Sequence, residues 1–416
     1  MRALLVLYMV GVLKLGEVYG AGRYADCYAL IELGGVLGAL AADQLIGMRR
    51  ALILGGLLMS AGYLFLATGL YSFLGFSLVI VGLSLFTPNL LAHLSQKNGE
   101  AGKGGLLAWV ILLLNAGTYF ATPLCALFSQ HQVWVSGFWV ASLGTSLASV
   151  SLLFFNPLEV KEEKQPLSRM KATLILALVA LFTLGVVFGV SRPNFSLPLL
   201  PWAELLVFTC LLLSLWRGGF LKRSQVALLG LYLLSLIFFY GFEERLTSLA
   251  SSLSFAGAPL GGFLLGSTLL VTLNPLLVFS LEGPLDGLCR EGGRPFLKLA
   301  LSFCIGALAF GLLSLGNSLF LTAGGVSFIS IGEVLIGSLV YWFCFRLAPK
   351  HRAHVQVKFF CLLSLVFSLA VSFGNKTCKA LSQGLCFSTM QLALILALLG
   401  FLLALMGYFT QRKVVT

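Results

Sequence analysis

Residues 172–190, ATLILALVALFTLGVVFGV, decide the fold. They carry no charge and no polar stripe on either a helical or a strand period. At ~1.5 Å per residue they extend nearly the ~30 Å of bilayer hydrocarbon. A helix apolar on every face is a buried or lipid-embedded helix, whereas a transmembrane β-barrel strand alternates polar and apolar residues over ~10 positions. Working outward, runs of the same kind recur at 24–46, 50–69, 73–94, 106–128, 133–155, 202–216, 226–253, 257–281, 296–315, 319–347, 355–373 and 387–408. Residues 1–13 form a shorter apolar run, ~20 Å as a helix. Across all 416 residues 59% are hydrophobic and 10% charged, against a charged fraction of ~25% in soluble domains. With a mean hydropathy of +0.99, this excludes a soluble enzyme or binding module and implies an all-α polytopic membrane protein.

The net charge of +12 would suit nucleic acid in a soluble chain, but here its placement matters more than its size. If each run crosses once, Lys14, Arg23, Arg192, Lys376 and Lys379 fall on one side and nearly all other Lys and Arg on the opposite side. The basic side is cytoplasmic by the positive-inside rule. No basic tract supports a nucleic-acid partner. The nine cysteines show no metal-binding spacing, so no metal is expected. Cys378 and Cys386 flank KTCKALSQGLC on the non-cytoplasmic side, where a disulfide can persist. No Walker-type loop points to ATP, and no nucleophile–base or metal set converges in the spans, so no enzyme is expected.

The runs group into an N-terminal bundle (1–155) whose first helix is incomplete, a charged cytoplasmic linker (156–171, NPLEVKEEKQPLSRMK), an inserted helix pair (172–222) and a C-terminal bundle (223–416). Two bundles around a central pathway are a common layout of secondary transporters.

Several segments carry a family resemblance. The turn Gly38-Ala-Leu-Ala-Ala-Asp43-Gln-Leu-Ile-Gly47-Met-Arg49-Arg50 sets an acid at a helix end, a glycine for the reversal and two arginines at the next helix start. It resembles the cytoplasmic gating turn of the major facilitator superfamily, in the variant of the proton-coupled oligopeptide transporters. Gly82-Leu-Ser-Leu-Phe-Thr87-Pro88-Asn89 is similar to that family's fourth helix, Asn115-Ala-Gly117 to its fifth, Phe238 through Glu243-Glu244 to its seventh, and Leu273-Asn274-Pro275 to its eighth. Gly332-Glu333 through Leu347-Ala348-Pro349 resembles its tenth without a gap.

The resemblance implies a major-facilitator-like fold of two six-helix bundles plus the inserted pair, in a bacterial inner membrane. It implies proton-coupled uptake of di- or tripeptides by alternating access, with a proton gradient and no cofactor. Glu333, Asn115, Asn274 and Arg245 are then expected to bind substrate, and Glu32, Glu243 and Glu244 to couple protons. Glu333 stands near the middle of its run, where an acid costs at least ~2.5 kcal/mol unless it faces a polar cavity. A monomer is expected, with the bilayer and a small peptide as its partners.

Three departures leave alternatives open. Thr87 stands where the family pattern has a lysine, Glu32 where it has a tyrosine, and the first-helix Glu-x-x-Glu-Arg motif is absent. The segment from Met1 reads as the continuation of that helix, so 15 to 30 further residues are expected upstream, about what a complete span requires. A transporter of other small solutes, or a non-transporting carrier serving as receptor or scaffold, are the competing functions.

Overall fold

The computed structural model describes residues 17–69, 71–101, 117, 134–154, 169–191, 199–220, 229–242, 277, 295–315, 319–347, 353–382 and 389–414. The helices are α1 (Glu17–Ala41), α2 (Met48–Thr68), α3 (Ser72–Ala101), α4 (Trp134–Phe154), α5 (Arg169–Ser191), α6 (Leu200–Arg217), α7 (Leu229–Phe242), α8 (Pro295–Ser314), α9 (Leu319–Leu347), α10 (Ala353–Ser382) and α11 (Thr389–Val414). Six of the described helices are long and apolar enough to cross a membrane, among them Met48–Thr68, Leu200–Arg217 and Leu297–Ser314. The protein is a multi-pass membrane protein. The expected runs 106–128 and 257–281 lie almost wholly outside the described residues.

Several helices outrun their apolar segments. α3 continues past residue 94 to Ala101, α10 past 373 to Ser382, and α1 begins at Glu17 rather than at 24. Hydropathy marks where lipid ends, but backbone hydrogen bonding continues into water wherever the residues allow a helix. For the same reason the last three residues of the expected linker, 169–171, belong to α5.

Packing in the N-terminal half depends on backbone contact. A Cβ on Gly55 would lie 2.8 Å from the Gly82 carbonyl, and one on Gly82 would lie 2.7 Å from the Gly55 carbonyl. Gly62 and Gly75 repeat this reciprocal contact one crossing further on, at 2.7 and 2.8 Å. Small residues let helices approach where lipid offers no hydrophobic drive. Hydroxyls add to it: Ser142 of α4 donates to the Ser60 carbonyl of α2 at 3.0 Å, and the two Oγ atoms lie 2.9 Å apart. Leu143, Leu147 and Phe154 of α4 are exposed while Phe138, Ser142 and Ser149 are buried. This apolar outside over a partly polar inside is the pattern that a lipid surround dictates.

Among the described residues two apolar cores result. One joins Met59, Tyr63, Phe76, Ile80 and Phe138 with Val186 of α5. The larger one joins α7, α8, α9, α10 and α11 with Phe208 and Leu215 of α6. The inserted pair is thus divided: α5 packs against α1 and α3, and α6 against α10 and α1. Helix α10 is the shared spine, in contact with α1, α3, α6 and α9.

Candidate functional site

Where α1, α3 and α10 meet, Ile31, Glu32, Gly35, Leu83, Thr87, Pro88, Cys361 and Ser364 line a narrow cleft. Its position follows from local sequence. Pro88 has no N–H for the Ser84 carbonyl one turn back. That carbonyl lies against Gly38 of α1, where any Cβ would overlap it. Asn89, fully buried, donates from Nδ2 to the Leu85 carbonyl at 2.7 Å and to the Gly38 carbonyl at 3.4 Å. The Ser84 hydroxyl reaches the Ile31 carbonyl at 3.0 Å. These contacts hold α1 to α3 and place Glu32 and Thr87 on one wall.

The opposite wall is α10, whose Cys361 thiol lies 3.9 Å from the Gly35 carbonyl. Glu32 is buried there. The cleft is too narrow to hold even a water-sized sphere, far short of the ~300–1,000 Å³ of small-molecule pockets. A small molecule can enter only if the walls part.

Glu333 is half-buried at the middle of α9, beside Gly332, whose added Cβ would come within 3.2 Å of the Phe239 ring. Phe239 packs edge-on against Phe303 at 5.6 Å, and Tyr240 lies 4.3 Å from the Phe367 ring of α10. Those two rings shortly precede the expected acids in the sequence, but Glu243, Glu244, Arg245, Asn115 and Asn274 lie outside the described residues, as does Cys386.

The turn expected to act in gating ends α1 in a π-helical turn, Ala42–Ile46, closed by Gly47 at φ 84, whose N–H bonds the Ala42 carbonyl at 2.9 Å. A positive φ at that point favours glycine. Asp43 stands exposed on this turn, and Arg49 and Arg50 follow in the first turn of α2. Arg49 donates from Nη2 to the Leu152 and Leu153 carbonyls at 3.1 and 3.0 Å. It thereby caps the C-terminus of α4, where a cation meets unsatisfied carbonyls.

The sequence reading missed Glu204. It is fully buried on α6, and both of its carboxyl oxygens meet serine hydroxyls of α10, Ser368 at Oε1 and Ser372 at Oε2, the latter at 3.2 Å. The signal was present as a lone acid in the apolar run 202–216, which is a functional candidate by default. Among the described residues no group of three or more His, Cys, Asp or Glu is placed to hold a metal ion.

No family model matches the chain. It is 24% identical over 382 residues to the dipeptide and tripeptide permease A of Pectobacterium carotovorum subsp. carotovorum, covering 84% of this chain and 74% of that one. It is 27% identical over 221 residues to a di-/tripeptide transporter of Lactococcus lactis subsp. cremoris, covering 47% of this chain and 44% of that one. A solved POT family transporter in complex with 5-aminolevulinic acid superposes with a TM-score of 0.76 at 17% identity, covering 98% of this chain and 92% of that one. A peptide transporter POT in complex with sulfate superposes with a TM-score of 0.72 at 20% identity, covering 99% and 91%. Relatives by sequence and neighbours by fold agree: the chain is similar to bacterial di- and tripeptide permeases and shares the fold of solved POT family transporters.

Proposed function

We propose that the protein is a secondary active transporter that takes up di- or tripeptides by alternating access of its two bundles, driven by inward proton flow without a bound cofactor. The observation that carries this is Glu32. It is buried at the junction of α1, α3 and α10, where the two halves of the chain meet. A buried acid in a bilayer is costly unless it meets water, substrate or a proton. A group that is charged in one state and neutral in the other makes the equilibrium between outward and inward forms depend on both protons and substrate. The curated relatives are bacterial peptide permeases, which supports the substrate class, the inner membrane of a bacterium as the location, and transport rather than catalysis. Glu333 then meets the peptide ammonium from the C-terminal bundle, and the molecule works as a monomer in the bilayer.

One observation favours a second reading. Thr87, where the resemblance implies a lysine, lines the same cleft as Glu32. That supports uptake of another small solute in place of a peptide held by its carboxylate. The neighbouring fold captured with 5-aminolevulinic acid makes small amino-acid-like molecules the class to test. Labelled dipeptide and labelled 5-aminolevulinic acid are offered in parallel to proteoliposomes under an imposed pH gradient. Gradient-dependent dipeptide accumulation, abolished by a protonophore and lost in Glu32→Gln, is expected. Uptake of the second compound alone selects the second reading, and uptake of neither by folded protein rejects both.

A further inference from the structure

The inserted helix pair contains a carboxyl group that the cleft itself does not use. Glu204 is buried on α6. Its two oxygens are held by Ser368 and Ser372, successive positions on one face of α10. One turn before Ser368 on that same i, i+4 row is Ser364, which lines the cleft with Glu32. Three hydroxyls on a single helix face therefore run from the Glu32 cleft to Glu204, each step ~6 Å along the helix.

The charged groups acting on Glu204 among the described residues are Glu32 and Asp26 of α1, both of its own sign. On α10, Lys358 lies ten residues from Ser368, ~15 Å away along the helix, and its ammonium bonds Ser214 of α6 at 3.0 Å. Cys361 and, from α7, Tyr240 are further titratable groups on or against this stretch of α10, and Lys376, Cys378 and Lys379 follow beyond Ser372, Lys376 one turn on along the same row. The described part of α7 carries no charge.

Hydroxyls suit such a group in a way that a cation does not. A lysine or arginine only donates and so matches a carboxylate alone. A serine donates to a carboxylate and accepts from a carboxylic acid. The pair Ser368 and Ser372 can therefore satisfy Glu204 in both states of protonation.

We propose that Glu204, with Ser368 and Ser372, is a proton-binding site connected to the Glu32 cleft by the serine row of α10, so that the inserted helix pair takes part in proton coupling. This rests on the transport reading above for its role, though not for its existence. Protonation removes the repulsion between α6 and α1 that two carboxylates would exert, and so bears on how α6, which rides on α10, sits against the N-terminal half.

The test is a pH-difference infrared spectrum of the purified protein in lipid, with pH-gradient-driven and substrate-exchange uptake measured on the same preparation. Wild type should show a protonated-carboxyl carbonyl stretch that appears and disappears across the pH range. Glu204→Gln should remove that band and reduce gradient-driven accumulation to the no-gradient level, while exchange, which needs no net proton movement, persists. Ser368→Ala, which keeps the acid, should retain the band at a shifted frequency. If Glu204→Gln does not fold, that shift is the deciding readout, and its absence overturns the proposal. A spectrum unchanged by Glu204→Gln overturns it as well. An infrared loss without any peptide uptake leaves the site standing and rejects peptide transport; gradient-driven uptake with an unchanged spectrum does the reverse.

Discussion

Replacing Gly82 by alanine places a methyl group 2.7 Å from the Gly55 carbonyl and also 2.7 Å from the Met59 side chain. The first neighbour is backbone of a helix that is itself fixed by the Gly62–Gly75 contact, so it cannot swing aside. Relief requires α2 and α3 to separate by several tenths of an ångström, which also loosens the second crossing. Overpacking of this kind costs ~1–3 kcal/mol. Alanine is also the better helix former by ~1 kcal/mol, which would mask part of the loss. Gly144→Ala cancels that ambiguity, because Gly144 is exposed in the middle of α4 with nothing within 4 Å of an added Cβ. Both variants gain the propensity term and only one meets a neighbour. Thermal unfolding in detergent, followed by intrinsic tryptophan fluorescence, should place Gly82→Ala below Gly144→Ala by on the order of 1–4 °C. Equal midpoints would refute the claim that backbone contact between α2 and α3 holds the N-terminal bundle.

Glu333→Gln keeps the size of the side chain and removes the charge, so it should lower dipeptide uptake about tenfold or more, the equivalent of one lost charge-assisted hydrogen bond, with insertion and midpoint unchanged. Wild-type uptake by well-folded variant would end that assignment. Arg49→Ala leaves the Leu152 and Leu153 carbonyls to water, and thermal unfolding should fall by ~0.3–1 kcal/mol, the range of a cation at a helix C-terminus. For Cys378 and Cys386, alkylation from outside intact cells should require prior reduction; labelling of both thiols without reductant rejects the bridge.

The hydropathy pattern made the fold class legible, and 172–190 and 202–216 match α5 and α6 to within three residues. Helix ends in water were less legible, because α3 and α10 continue through polar sequence that looks like loop to a lipid scale. The gating turn was also readable, since Gly47 between two helices predicts a reversal that its φ of 84 provides. The partner of Arg49 was not, for its acceptors are main-chain carbonyls more than a hundred residues away, and a carbonyl has no letter in the sequence.

Sequence alone determined that this chain lives in a bilayer and crosses it many times, because the length and polarity of each run are local quantities that the thickness of hydrocarbon selects. It also singled out Glu32 and Glu333 as acids in the wrong solvent. Only the tertiary structure decided what each polar side chain faces. Thr87 and Glu32 share a cleft because glycine contacts let α1 and α3 close on each other. Glu204 is bound to α10 rather than to its own helix pair because α6 packs there. In lipid every helix is apolar enough to turn any face outward, and the choice among faces is made by glycines and hydroxyls that find their counterparts only when the helices meet.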